Sequence, residues 1–345
     1  MRIEVMSRFR CMAVRALGLS GFLFLASCGS TPVDAPVVTE PLPYPPWRSV
    51  LSQDHPLAGR IWVPGEKDFI TPGVLVRRMS KARYVSLGET HDNPDHHRIQ
   101  AWITGALIDG GARPALVMEM FGAERQKAID AHLKARPRDS RGLGSAAEWP
   151  ARGWPAWTHY EPIVRPVIRA GLPVIAANLS RTTIKDVSGK GFAALGTARL
   201  RTLGLDKPLP TEVLFAIDRQ IAESHCGMIE ASQARPFTRI QAARDASFAS
   251  AMVRGARSGG AAILIAGTGH VRRDQGVPLH LRRTGARNPE ILSLALIEVV
   301  KDRTDPAAYA EAYGTKDLPF DAVWFTARQE REDPCKEFGS RRKNK

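Results

Sequence analysis

The chain has 345 residues, with 49 lysines and arginines against 35 aspartates and glutamates, a formal charge of +14. Setting the two ends aside leaves about 290 residues, ample for one large core, and no internal repeat is present. The one long apolar run, 16–26, falls short of the ~20 residues that span a bilayer, and a charge that would suggest nucleic acid in a cytosolic chain points in an exported one to anionic surfaces or an anionic ligand.

In chain order, the N-terminus reads as an export signal. Arg8, Arg10 and Arg15 precede the apolar run, which ends in Leu25-Ala26-Ser27-Cys28. A basic segment, a short apolar segment and small residues before a cleavage point define such a signal. The L-A-S-C ending is similar to a bacterial lipobox, with Cys28 as the lipidated mature N-terminus. Gly29 after it matches the sorting pattern for the outer membrane, so the expected location is an outer-membrane lipoprotein facing the periplasm, held there only by acyl chains. Residues 28–55 then form an extended linker, rich in proline over 29–48, that holds the domain off the membrane. Cys226 and Cys335 remain as an even pair in an oxidising compartment, and a disulfide between them is expected. The last residues, 331–345, end in Arg341-Arg342-Lys343-Asn344-Lys345 and read as a solvated basic tail.

The body, 56–330, alternates β-rich runs with helical patterns. Strands are predicted at 84–87, 115–118, 174–177, 261–266, 292–300 and 322–325, and helices at 96–108, 124–134, 162–170, 211–222 and 238–256. In the last helix Arg239, Arg244, Asp245 and Arg254 fall off the apolar face. Near-continuously apolar strands alternating with helices predict a three-layer α/β/α fold with a mostly parallel central sheet. The connection 135–160 reads as an irregular loop carrying Trp149, Trp154 and Trp157, suited to a lid or the wall of a flat apolar site. Residues 182–209 match no element.

Polar clusters follow four of the strands: Gly88-Glu89-Thr90-His91, Glu119-Met120-Phe121-Gly122, Asn178-Leu179-Ser180-Arg181 and Gly267-Thr268-Gly269-His270. In a parallel sheet all strand C-ends share one edge, where ligands bind, so these clusters should converge. His91, Glu119 and His270 make a two-histidine, one-carboxylate set suited to Zn, Mn or Fe. Such a site activates water for a metal-dependent hydrolase; without metal, His91 or Glu89 would serve as general base and Arg181 would stabilise developing negative charge. Asp92 or Asn93 before Pro94 reads as a helix cap. At least one of His96 and His97 is expected in solvent.

These residues resemble a family. G-E-T-H-D-N-P-D-H-H at 88–97, V-M-E-M-F at 117–121, W-T-H-Y-E-P-I at 157–163, N-L-S-R at 178–181, Q-A-A-R-D at 241–245 and A-G-T-G-H-V-R-R-D-Q-G-V-P at 266–278 are all similar to the ChaN-like haem-binding lipoproteins. The resemblance implies an α/β fold shared with erythromycin-esterase-like and Tiki-type proteins. It also implies haem bound as a cofacial pair in a homodimer, a tyrosine on iron, and a link to iron uptake through an outer-membrane haem or iron receptor. Hydrolytic superfamily members use paired G-x-x-H turns and a glutamate, which His91, His270 and Glu119 match. Tyr160 is the preferred iron ligand, with His159, Trp157, Asn178 and Arg181 around the haem and arginines on its propionates. Tyr84 opens a buried strand, and Tyr309 and Tyr313 are peripheral.

Overall fold

A computed structural model describes residues 44–226, 228–332 and 335. The expected signal, Cys28 and the linker up to residue 43 lie outside them, as does the basic tail beyond 332 apart from Cys335.

The chain runs β1 (Ile61–Val63), β2 (Asp68–Ile70), α1 (Pro72–Met79), β3 (Tyr84–Glu89), α2 (Pro94–Asp109), β4 (Pro114–Gly122), α3 (Gln126–Ala135), α4 (Ser140–Ala146), α5 (Trp157–Arg169) and β5 (Val174–Asn178). It continues through α6 (Arg181–Lys190), α7 (Thr197–Leu203), α8 (Thr211–Ser224), α9 (Arg235–Gly259), β6 (Ala261–Gly267), α10 (Val277–Arg283), β7 (Ile291–Glu298) and β8 (Ala322–Thr326). The strands form one eight-stranded sheet in the order β2-β1-β8-β7-β3-β6-β4-β5. β8, β7, β3, β6, β4 and β5 are mutually parallel, and the β1–β2 hairpin adds an antiparallel edge.

Helices cover both faces. Leu75, Ile99, Ile103 and Ile163 from α1, α2 and α5 bury one face with Leu116 and Met118 of β4. Phe248 and Met252 of α9 and Val277 of α10 bury the other with Val117 and Leu264. The predicted three layers are therefore present, and each of the six predicted strands is found. The β1–β2 hairpin is additional, because three-residue strands carry too little periodic signal to register.

Three regions differ from the sequence reading. The linker does not extend to 55: Tyr44 stacks on Trp47 with ring centres 4.4 Å apart and meets Trp324 edge-on, and Leu51 pairs with Arg328. The tryptophan connection is partly helical, since α4 crosses it and α5 starts at Trp157, five residues before the predicted start. Pro162 and Pro166 look like helix-start signals but sit inside α5, where neighbouring packing compensates for the bonds each forfeits. Residues 181–203 fold as α6 and α7 over a small cluster of Leu179, Val187, Leu195 and Leu203 against α9. Among the described residues no helix is long and apolar enough to cross a membrane.

Candidate functional site

Strand alternation decides which partner each acidic residue meets. In β3, Val85 and Leu87 face α2 and α5, while Tyr84 and Ser86 face α9. Glu89 continues the first set and points beneath α2 and α5. In β4, Leu116, Met118 and Met120 take that same face, so Glu119, in step with Val117, meets α9.

Glu89 is fully buried and is the hub of the first half of the site. Its Oε1 accepts the Tyr160 hydroxyl at 2.6 Å and lies 2.8 Å from His91 Nδ1. Its Oε2 stands 3.4 Å from His97 Nε2, outside hydrogen-bond geometry. Burial alone would push the Glu89 carboxyl up, but His97 and His91 outweigh it and hold it well below the usual range. Burial lowers the proton affinity of His91, yet the Glu89 carboxylate wins and raises its pKa above the ordinary value. The bond through Nδ1 leaves His91 Nε2 as the free nitrogen, on a side chain 34% exposed. The Trp154 ring meets the imidazole edge-on at 4.8 Å.

The second half lies across β6. Glu119 Oε2 accepts the Gly267 amide at 2.8 Å, and Oε1 takes Arg244 with His270 Nε2 3.4 Å away. His270 Nδ1 donates to the buried Asp245, and the Gln241 side-chain amide packs alongside. Burial would lower the His270 pKa, but Glu119 and Asp245 raise it to about 9. Glu119, despite burial, is held well below its usual value by His270 and Arg244. His270 is therefore an imidazolium clasped between two carboxylates.

The two halves meet at Gly267. A β-carbon there would stand 3.1 Å from His91 Nε2 and 3.8 Å from Glu119 Oε2, so only glycine leaves both groups undisturbed. Gly88 is equally constrained, since a β-carbon would come within 2.4 Å of Val271 Cγ2. A cavity of about 310 Å³ is bordered by Arg125, Arg152, Ser180 and Arg181, with Glu148 and Glu124 also in its wall and paired with Arg125 and Arg152. Arg152 and Trp154 both donate to the Met120 carbonyl, which fixes them at the β4 end. Two other cavities, about 450 and 600 Å³, share Gly65, Arg273 and Phe320, away from this chemistry.

The four clusters after the strands thus converge, but several roles change. Among the described residues no three histidine, cysteine or acidic side chains are placed to hold a metal ion. His91, Glu119 and His270 share the edge, yet the oxygens of Glu119 and both nitrogens of His270 already have partners. Tyr160 is not an open ligand: its ring is fully buried, and burial plus the Glu89 charge push its hydroxyl pKa far up, against a tyrosinate. Tyr44 and Tyr309 direct their hydroxyls to backbone groups. Trp157 donates to the Ser140 carbonyl, and the half-buried His159 packs beside His97, so both lie behind the site. Asn178 donates to the Glu119 carbonyl and accepts from Arg244, and Arg181 reaches the Ala151 carbonyl at the rim.

Asn93 caps α2 by accepting from the Asp95 and His96 amides. Neither His96 nor His97 is in solvent. His96 accepts from the Thr90 amide and meets Thr326, and burial lowers its pKa to about 4, so it is neutral. Cys226 and Cys335 are joined as a disulfide. Sequence reading missed Arg244 and Asp245 as site residues because α9 periodicity places them off the apolar face. The only available signal was the motif containing them, at 241–245.

A family model described as haem-binding uptake, Tiki superfamily, ChaN matches residues 75–281. The solved structure described as cofacial haem binding to ChaN of Campylobacter jejuni is 22% identical, with a TM-score of 0.57, over 76% of this chain and 95% of that one. A type III effector, HopBA1, aligns at 14% identity over 74% of this chain and 92% of its own, with a TM-score of 0.39. The erythromycin esterase EreC aligns at 12% identity over 80% and 99%, with a TM-score of 0.40. No curated protein sequence matches the chain.

Proposed function

The chain belongs to the haem-binding uptake family ChaN of the Tiki superfamily, and on that premise we propose that it binds haem at the C-terminal edge of its sheet, with His91 facing the iron. One observation carries the reading: His91 Nε2 has no hydrogen-bond partner among the described residues, on a partly exposed side chain, while Nδ1 is held by a buried carboxylate. That hydrogen bond fixes the ring and raises the basicity of the other nitrogen, as at metal-binding histidines generally. The donor set suits the group in two further respects. Trp154 supplies an aromatic wall beside His91, and Arg181, which forms no ion pair among the described residues, lines a cavity at the rim where its guanidinium can pair with a propionate, whereas Arg125 and Arg152 there are already bound to Glu148 and Glu124. Haem would supply iron with an open coordination position. Glu89, Tyr160 and His97 would position His91 and exclude water beneath it.

The finer parts of the reading belong to the same proposal: a lipid on Cys28 in the outer membrane, a homodimer on ligand binding, and delivery to or from a haem or iron receptor. A metal-dependent hydrolase is the weaker reading, because His270 and Glu119 are already mutually committed. The test is titration of haemin into the full chain and into His91→Ala. Saturable binding to the wild type and at least tenfold weaker binding to the variant, with a changed Soret band, support the reading. Equal spectra and affinities would remove His91 as the iron-facing group, and no saturable binding to either would end the haem reading.

A further inference from the structure

We propose that the sheet edge opposite the cleft docks against an anionic phospholipid membrane, independently of any lipid anchor. The six parallel strands begin at this edge, and their entry segments are tied together. The Arg83 amide donates to the Glu290 carbonyl, the Arg83 carbonyl accepts from Ala262, and the Arg113 guanidinium reaches the Ala170 carbonyl. Positive charge gathers on these segments. Arg77 and Lys81 precede β3, Arg83 and Arg113 immediately precede β3 and β4, Arg169 ends α5 before β5, and Arg257 lies in the last turn of α9 before β6. All six are exposed, and none forms a side-chain ion pair among the described residues.

The opposing acidic groups are few. Asp109 ends α2 at this edge, Glu290 is already bound to Arg287, Glu66 to Arg78, and Asp321, just before β8, to Arg273. Helix ends account for most of these positions one by one, but not for their lying together on one edge without ion pairs among the described residues. Cations in a last helical turn are favoured by the helix dipole, which covers Arg77, Arg169 and Arg257. Lys81 directly follows Ser80, the C-cap of α1, and Arg113 binds the carbonyl of Ala170, the C-cap of α5, so of the three outside helices only Arg83 has no helix end to account for it. A shared edge carrying cations of both origins complements a surface of negative headgroups, where each Lys or Arg is worth roughly fivefold in partitioning. The cleft, at the other end of the same strands, would then face away from the bilayer. This inference does not depend on haem binding.

The test uses the full chain with Cys28→Ser, which abolishes acylation. Co-sedimentation is measured with vesicles of phosphatidylcholine alone and of phosphatidylcholine mixed with phosphatidylglycerol, at low and high salt. The wild-type background should prefer the anionic vesicles and lose that preference as salt shortens the screening length. Changing Lys81, Arg169 and Arg257 to Gln should lower anionic binding by on the order of a hundredfold, and Lys81→Glu/Arg169→Glu/Arg257→Glu by more. Arg136→Glu/Arg138→Glu/Arg141→Glu, exposed on the connection between α3 and α4 and in the first turn of α4, changes net charge equally and should retain most of the binding. Equal losses in the two reversal variants would overturn the proposal, as would equal binding to both vesicle types. Retention by duplex DNA without vesicle binding would also overturn it, in favour of a nucleic-acid partner.

Discussion

Replacing Tyr160 with phenylalanine separates the two roles this side chain could have. The ring is fully buried, 4.3 Å from His97 and 4.8 Å from Trp149 between ring centres, so Tyr160→Phe keeps the packing. It removes one hydrogen bond, 2.6 Å long, to a buried carboxylate that retains only His91 as a partner on that oxygen. A bond to a charged group of this kind contributes about 1.5–3 kcal/mol. For a chain of this size that corresponds to a fall in Tm of roughly 3–6 °C. Thermal unfolding followed by circular dichroism measures the loss, and haemin titration measures the site. The expected outcome is a lower Tm with the iron-ligand spectrum of the wild type preserved and affinity within a few-fold. If the variant instead lost a tyrosinate charge-transfer band present in the wild type, Tyr160 would be the iron ligand and His91 would not. An unchanged Tm would refute the account of Glu89 as a hub that depends on this donor.

Two further perturbations probe the other half of the edge. The pKa of His270 is raised to about 9 in the folded chain, above the unfolded value of about 6.5. Its stabilising contribution is therefore complete below about pH 6.5 and is lost as pH rises through about 9. Denaturant melts of the wild type should weaken across that window, and His270→Gln should flatten the dependence while being less stable at neutral pH. Gly88→Ala would place a methyl 2.4 Å from Val271 Cγ2 and 3.0 Å from the Thr268 Cα. Overpacking of this kind costs about 1–3 kcal/mol, so a melt no different from wild type would show that the turn after β6 yields more easily than its packing implies.

Much of this architecture is local. β-rich apolar runs bounded by glycine and polar residues mark the strands, and a parallel sheet brings their C-terminal residues to one edge whatever lies between them. The Asn93-Pro94 cap was legible for the same reason, since its donors and acceptor lie within three residues. Alternation separates neighbours along each strand, but that Glu89 and Glu119 take opposite faces followed only from the helices packed on β3 and β4.

The pairings were not local. Arg244 reaches Glu119 across 125 residues, and Tyr160 reaches Glu89 across 71. Each depends on how α9 or α5 is rotated on the sheet, which helical period alone leaves undetermined. Asp245 lies off the apolar stripe of α9 and nevertheless is buried, because an imidazolium waits where it enters the core. Thus the sequence by itself determined the fold class and which polar residues gather at one edge. Tertiary packing decided which of them neutralise one another and which nitrogen stays free, since a buried charge takes whatever counter-charge the neighbouring element brings within reach.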